Sequence, residues 1–215
     1  MRAVISAVLA VLFLVAPVTA RAEGVFGRLD AAATRLSGDY RAFYLDNGTH
    51  LRLALALAAG GTLANTGADS EVRVFFQDNI RSSATYGLSD ITRLPGEALI
   101  TVPALALFYL STDNLWAERS LRALFVGGPL GLFLRSATGG GRPTEGSSDW
   151  RTFSNNNGLS GHSFIGALPF ITAAKMEARP SVRWLLYGAS TLPALSRIND
   201  DEHFFSQAAL GWYLA

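Results

Sequence analysis

The residues best suited to chemistry fall in three short stretches of the 215-residue chain: RSATGGGRP from Arg135 to Pro143, LSGH from Leu159 to His162, and SRINDDEH from Ser196 to His203. Together they describe a pocket for a phosphate-like oxyanion. Arg135, Arg142 and Arg197 offer planar, permanently charged donors for non-bridging oxygens. His162 and His203 can divide phosphoryl-transfer work, one attacking phosphorus and the other protonating the leaving group. Ser160, ahead of Gly161, His162 and an apolar run, reads as a helix N-cap. The same helix start would point free N–H groups and a positive dipole at an anion. Singly, each stretch has a bland reading. Gly139 to Gly141 before Arg142-Pro143 is a helix stop and turn, Arg197 is a C-terminal helix charge, and His203 is an ordinary histidine. His50, beside a turn containing Gly48, is given no role.

The three stretches resemble the signature of the type 2 phosphatidic acid phosphatase and vanadium haloperoxidase superfamily. That signature runs Lys, six residues, Arg-Pro; then Pro-Ser-Gly-His; then Ser-Arg, five residues, His, three residues, Asp. Here Arg135 stands for the lysine, Leu159 for the proline and Gln207 for the aspartate, and the match spans about a third of the chain. The resemblance implies that His203 is the nucleophile that forms a phosphohistidine and that His162 is the general acid. It also implies that Arg135, Arg142, Arg197, the Ser160 hydroxyl and the Gly161 amide hold the phosphoryl oxygens. No metal and no cofactor are implied; positioning and charge stabilisation do the work. Gln207 is the departure with most consequence. Its amide oxygen can accept Nδ1–H and fix the His203 tautomer, but it brings no negative charge, so slower turnover is expected. The acidic run Asp200-Asp201-Glu202 is either a compensating charge or a solvated loop. The implied enzyme is a phosphoric ester hydrolase acting on a phosphomonoester or on a lipid phosphate or pyrophosphate. The alternatives are a vanadate-dependent haloperoxidase, which the short chain and compact motif spacing disfavour, and a degenerate phosphate-binding protein.

Composition narrows the setting. A net charge of +1 gives no electrostatic case for nucleic acid, and the absence of cysteine excludes disulfides and thiolate chemistry. Arg2, an apolar run from Ala3 to Val15, and the pattern Ala20-Arg21-Ala22 read as a secretory signal peptide over residues 1–22, with an uncleaved membrane anchor as the alternative. That leaves one domain over 23–215, in the periplasm or cell envelope, either soluble or associated with the inner membrane. The chain stops at Ala215 just as its last apolar segment ends, as a fragment would.

The elements that must position these residues are helices. Phe26, Leu29, Ala33, Leu36, Tyr40 and Phe43 recur at helical spacing, as do Val72, Phe75, Phe76 and Ile80. Six apolar segments follow or intervene: Leu53 to Ala64, Ala98 to Ser111, Ala123 to Leu134, Ser163 to Ala174, Trp184 to Leu195 and Phe204 to Ala215. Few positions alternate with period two. The expectation is an all-α protein, a six-helix core bundle with additional N-terminal amphipathic helices, and its motifs meet at one end. Uninterrupted apolar runs of roughly 12 to 15 residues fall short of the ~20 needed to span a bilayer. Basic residues at Arg119, Arg122, Lys175, Arg179 and Arg183 would lie inside by the positive-inside rule, which gives the wrong parity for a chain that begins outside. Both features point to a soluble or peripheral protein.

Overall fold

The structure, a computed structural model, describes residues 22–215, and among these every regular element is helical, so the fold is all-α. The expected signal segment lies outside the described residues except for its last position. In chain order the helices are α1 (Ala22–Tyr44), α2 (Asn47–Asn65), α3 (Ala68–Asn79), α4 (Ser83–Thr92), α5 (Ala98–Thr112), α6 (Leu115–Thr138), α7 (Gly161–Met176), α8 (Pro180–Ser190), α9 (Leu192–Asn199) and α10 (Phe205–Leu214). Short 3₁₀ turns cover Leu94–Gly96 and Pro143–Glu145.

Local chemistry accounts for most boundaries. Asp46, Ser82, Asn114 and Ser160 cap α2, α4, α6 and α7 with side-chain oxygens on free backbone amides. Helix α4 is the element that apolar spacing does not announce; a reciprocal Ser82–Thr85 capping box starts it. One expectation needs correction. The segment Trp184 to Leu195 is two helices, α8 and α9, joined at Thr191. Pro193 has no amide hydrogen for the Ala189 carbonyl, and the Ser190 and Thr191 hydroxyls bond back to the carbonyls of Tyr187 and Gly188 at 2.6 and 2.8 Å. Pro103, Pro129 and Pro169 interrupt nothing, because α5, α6 and α7 continue through them.

Apolar burial fixes where the helices go. Leu134, Leu159, Phe164, Leu168 and Leu210 form one buried cluster that draws together α6, α7 and α10, with Leu53 and Leu57 of α2 packed against it. Leu105, Tyr109 and Ala117 join α5 to α6, with Ala32 of α1 alongside. Ala194, Ile198 and Ala208 join α9 to α10. Each fully buried leucine, isoleucine or phenylalanine side chain contributes about 1.5–3 kcal/mol. These contacts gather the C-terminal end of α6, the N-terminal end of α7 and the α9–α10 connection. No single described helix is long and apolar enough to cross a membrane, although α4 with its 3₁₀ turn and α5 form one apolar pair bent by 52°.

Candidate active site

The third motif is shaped by its own backbone. Arg197 lies in the last turn of α9, and its carbonyl accepts from both Glu202 N–H at 3.0 Å and His203 N–H at 3.2 Å. The five-residue spacing is therefore a closed loop that delivers His203 beside Arg197. Asp201 occupies the left-handed region at φ 58°, and its carboxylate is clamped by Arg73 of α3, with Nε donating at 2.6 Å. Buried Asp69 of α3 accepts from the Ser206 amide and hydroxyl, which anchors the first turn of α10 behind the site.

His203 is buried, and burial pushes its imidazole down to about 4; Arg197, Arg142 and His162 add to the effect, and the Gln207 hydrogen bond opposes it. His203 Nδ1 lies 2.9 Å from Gln207 Oε1. Two backbone groups set which way that amide points. Gln207 Oε1 accepts from Phe204 N–H at 3.2 Å, and Gln207 Nε2 donates to the Gly141 carbonyl at 2.7 Å. The oxygen thus faces His203, Nδ1 carries the proton, and Nε2 keeps its lone pair. Gln207 is fully buried, so it also locks the glycine loop of the first motif to the His203 loop of the third.

The glycine loop leaves α6 through Gly139, whose φ of 65° and approach to the Arg151 carbonyl admit no side chain: an added Cβ would sit 1.9 Å from that oxygen. Arg142 follows, with Nε donating to Asn157 Oδ1 at 3.2 Å and a terminal nitrogen donating to Glu202 at 2.8 Å. The same Glu202 oxygen lies 3.4 Å from a terminal nitrogen of Arg197. Arg197 is buried, which lowers its pKa from the ordinary arginine value. Its Nε is buried without a hydrogen-bond partner among the described residues, as is Nε of Arg93. A buried guanidinium with an unused donor is costly unless an acceptor arrives.

The second motif contributes less directly than expected. Ser160 is fully buried and its hydroxyl accepts from Ser163 N–H at 3.3 Å, so its observed partner is the start of α7 rather than open space. Gly161 is the first residue of α7, and a Cβ added to it would meet nothing within 4 Å. His162 lies in the first turn, and its Nε2 is 3.2 Å from Glu97 Oε1. Arg135 is half-buried in the last turn of α6 and donates to the Asn156 carbonyl at 3.0 Å, which ties it to the loop that also holds Arg142. Arg142, Arg197, His162, His203 and Gln207 thus form one cluster. Glu97, Asn157 and Arg93 belong to the same neighbourhood but lie outside the motifs. The acidic run is no solvated loop: Asp201 and Glu202 are both bound to arginines. His50 is exposed, with Nε2 2.9 Å from the Tyr44 carbonyl.

A cavity of about 990 Å³ lies elsewhere, lined by Arg52, Arg119, Lys175 and Leu168 among others, with no motif residue in its wall. Lys175 lies in the last turn of α7, whereas His162 lies in its first; the cavity therefore sits toward the opposite end of the bundle. Geometry and unsatisfied donors, not cavity size, mark the candidate site. No family model, curated protein or solved structure matches this chain.

Proposed function

We propose that the chain is a phosphoric ester hydrolase resembling the type 2 phosphatidic acid phosphatases, working in the cell envelope through a phosphohistidine at His203. The Gln207 amide carries this reading. Its orientation is set by Phe204 N–H and the Gly141 carbonyl, so the His203 ring bears its proton on Nδ1. Neutral above about pH 4, His203 then has Nε2 free to attack phosphorus. Arg197, with its unpartnered Nε, and Arg142 supply charge to the equatorial oxygens. His162 donates a proton to the leaving oxygen and later takes one from the attacking water.

In this reading Glu202 is the resting occupant of the cradle. One of its oxygens lies between Arg142 and Arg197, where a phosphoryl oxygen would go. Exposed Leu88, Ile91, Leu99, Leu192 and Leu195, on helices α4, α5 and α9 around the site, favour a lipid phosphate over a small soluble ester. The test is hydrolysis of 4-nitrophenyl phosphate and of a phosphatidate dispersion in the presence of a chelator. Turnover of both esters that is lost in His203→Ala is the expected result. Phosphate binding with no turnover of either ester would identify a binding protein instead.

A further inference from the structure

We propose that Glu97 is a positioning residue for the general acid His162, and that the Arg93–Glu97 turn is therefore a fourth active-site segment. This rests on the hydrolase reading above. Three observations converge on it. Glu97 Oε1 lies 3.2 Å from His162 Nε2, with both side chains about one-third exposed, at 37% and 33%. Glu97 is the N-cap residue of α5, yet its side chain makes no capping hydrogen bond. The carboxylate is turned away from the helix that it begins and toward the histidine. Gly96 explains why the turn stays there. A Cβ at Gly96 would meet the His162 carbonyl oxygen at 2.6 Å and His162 Cβ at 3.0 Å, so the glycine brings the turn directly onto the histidine backbone.

The chemical consequence concerns the two ring nitrogens. In this role Nε2 faces the Glu97 carboxylate at 3.2 Å, and Nδ1, which has no hydrogen-bond partner among the described residues, is the atom left for the substrate. The acid form bears a proton on each nitrogen, and Glu97 is its counter-ion. As His203 Nε2 forms the P–N bond, the P–O bond breaks and its electron pair stays on the ester oxygen, which receives the Nδ1 proton. In the second half, water attacks phosphorus, its proton passes to His162 Nδ1, and the P–N pair returns to His203. Glu97 stays paired with the Nε2 side of the ring throughout and touches no reacting atom.

The test compares two esters, 4-nitrophenyl phosphate with a good leaving group and an alkyl phosphate with a poor one. Glu97→Gln should lower kcat on the alkyl ester about tenfold or more, and on the nitrophenyl ester less than about threefold, because only the poor leaving group needs the proton. In a His162→Ala background the same substitution should cost nothing further, while Glu97→Asp should restore part of the loss. Thermal unfolding of each variant separates a folding defect from a chemical one. Equal losses on both esters, or an additive loss in the His162→Ala background, would overturn the role of Glu97 and leave the hydrolase reading standing. A wild-type protein that hydrolyses neither ester would remove that reading and this role together.

Discussion

Two charge clusters lie toward opposite ends of α6, and they are built from the same side-chain types. Near its N-terminal end, Arg35 of α1 donates to both oxygens of buried Glu118 at 2.6 and 2.9 Å, and Arg122 bridges Glu118 at 2.9 Å to Asp39 at 2.7 Å. Two arginines meet two carboxylates. Burial raises the Glu118 carboxyl, but the hydrogen bonds from Arg35 and Arg122 outweigh it and hold the group below its ordinary value. At the other end, Arg142 and Arg197 share a single Glu202 oxygen, Asp200 stands off at 3.9 Å from Arg197, Arg197 Nε has no partner among the described residues, and His203 is buried next to them. The first cluster is electrostatically closed and fastens α1 to α6. The second is left open toward an acceptor. Charge alone does not separate the two clusters; the state of their donors does.

Breaking each cluster should therefore fail in a different way. The largest effect belongs to His203→Ala, which should reduce turnover by ~10⁴-fold or more while leaving the melting temperature nearly intact, as steady-state kinetics and calorimetry would report. Glu118→Gln should do the reverse. Glu118 is buried but Arg35 is half-exposed, so the loss of its charged hydrogen bonds should cost about 2 kcal/mol, measured by denaturant unfolding, with kcat changed less than about twofold. Equal activity losses in both variants would dissolve the distinction between the clusters.

Gln207→Asp sharpens the open cluster from within. The sequence makes Gln207 look like a weakened aspartate. In the structure its Nε2 holds the Gly141 carbonyl, and aspartate, one methylene shorter and with no N–H, would leave that carbonyl without its donor in a fully buried place. We expect a stability loss of about 2 kcal/mol, read from urea unfolding; a large gain in turnover with unchanged stability would show instead that the natural amide limits the rate.

Acid titration probes the same residue pair. His203 has a folded value of about 4 against 6.5 for the free side chain. Between these values the unfolded chain binds more protons, so stability must fall as pH drops from about 6.5 to about 4, by a total on the order of 3 kcal/mol. His203→Ala should flatten this limb of the stability curve. The smallest expected effect is that of Glu202→Gln. Removing the internal carboxylate should tighten inorganic phosphate binding a few-fold by calorimetry; weaker binding would mean that Glu202 organises the arginines rather than competing for them.

Much of this is legible in the residues. Helical spacing locates the helices that carry the apolar segments, and the three motifs name the histidines and arginines that cluster. What escapes has a physical reason. The break between α8 and α9 depends on side-chain hydrogen bonds from Ser190 and Thr191 as well as on Pro193, and apolar periodicity is blind to both. Helix α4 is announced by its capping box more than by a continuous apolar stripe. Glu97 and Arg93 approach His162 and Arg197 only through packing of the 3₁₀ turn on α7 and α9, and no local spacing encodes a contact between positions that far apart. The sequence offers Ser160 as both a cap and a phosphate ligand; its buried hydroxyl performs the first.

The central claim is that His203 becomes covalently phosphorylated. Rapid acid-free quenching of the protein with a ³²P-labelled phosphate ester tests it most directly. The account predicts label that survives alkali, is lost in acid, maps to His203 and is absent from His203→Ala. Turnover without any trapped label in the wild type, or label on another side chain such as Ser160, would contradict it.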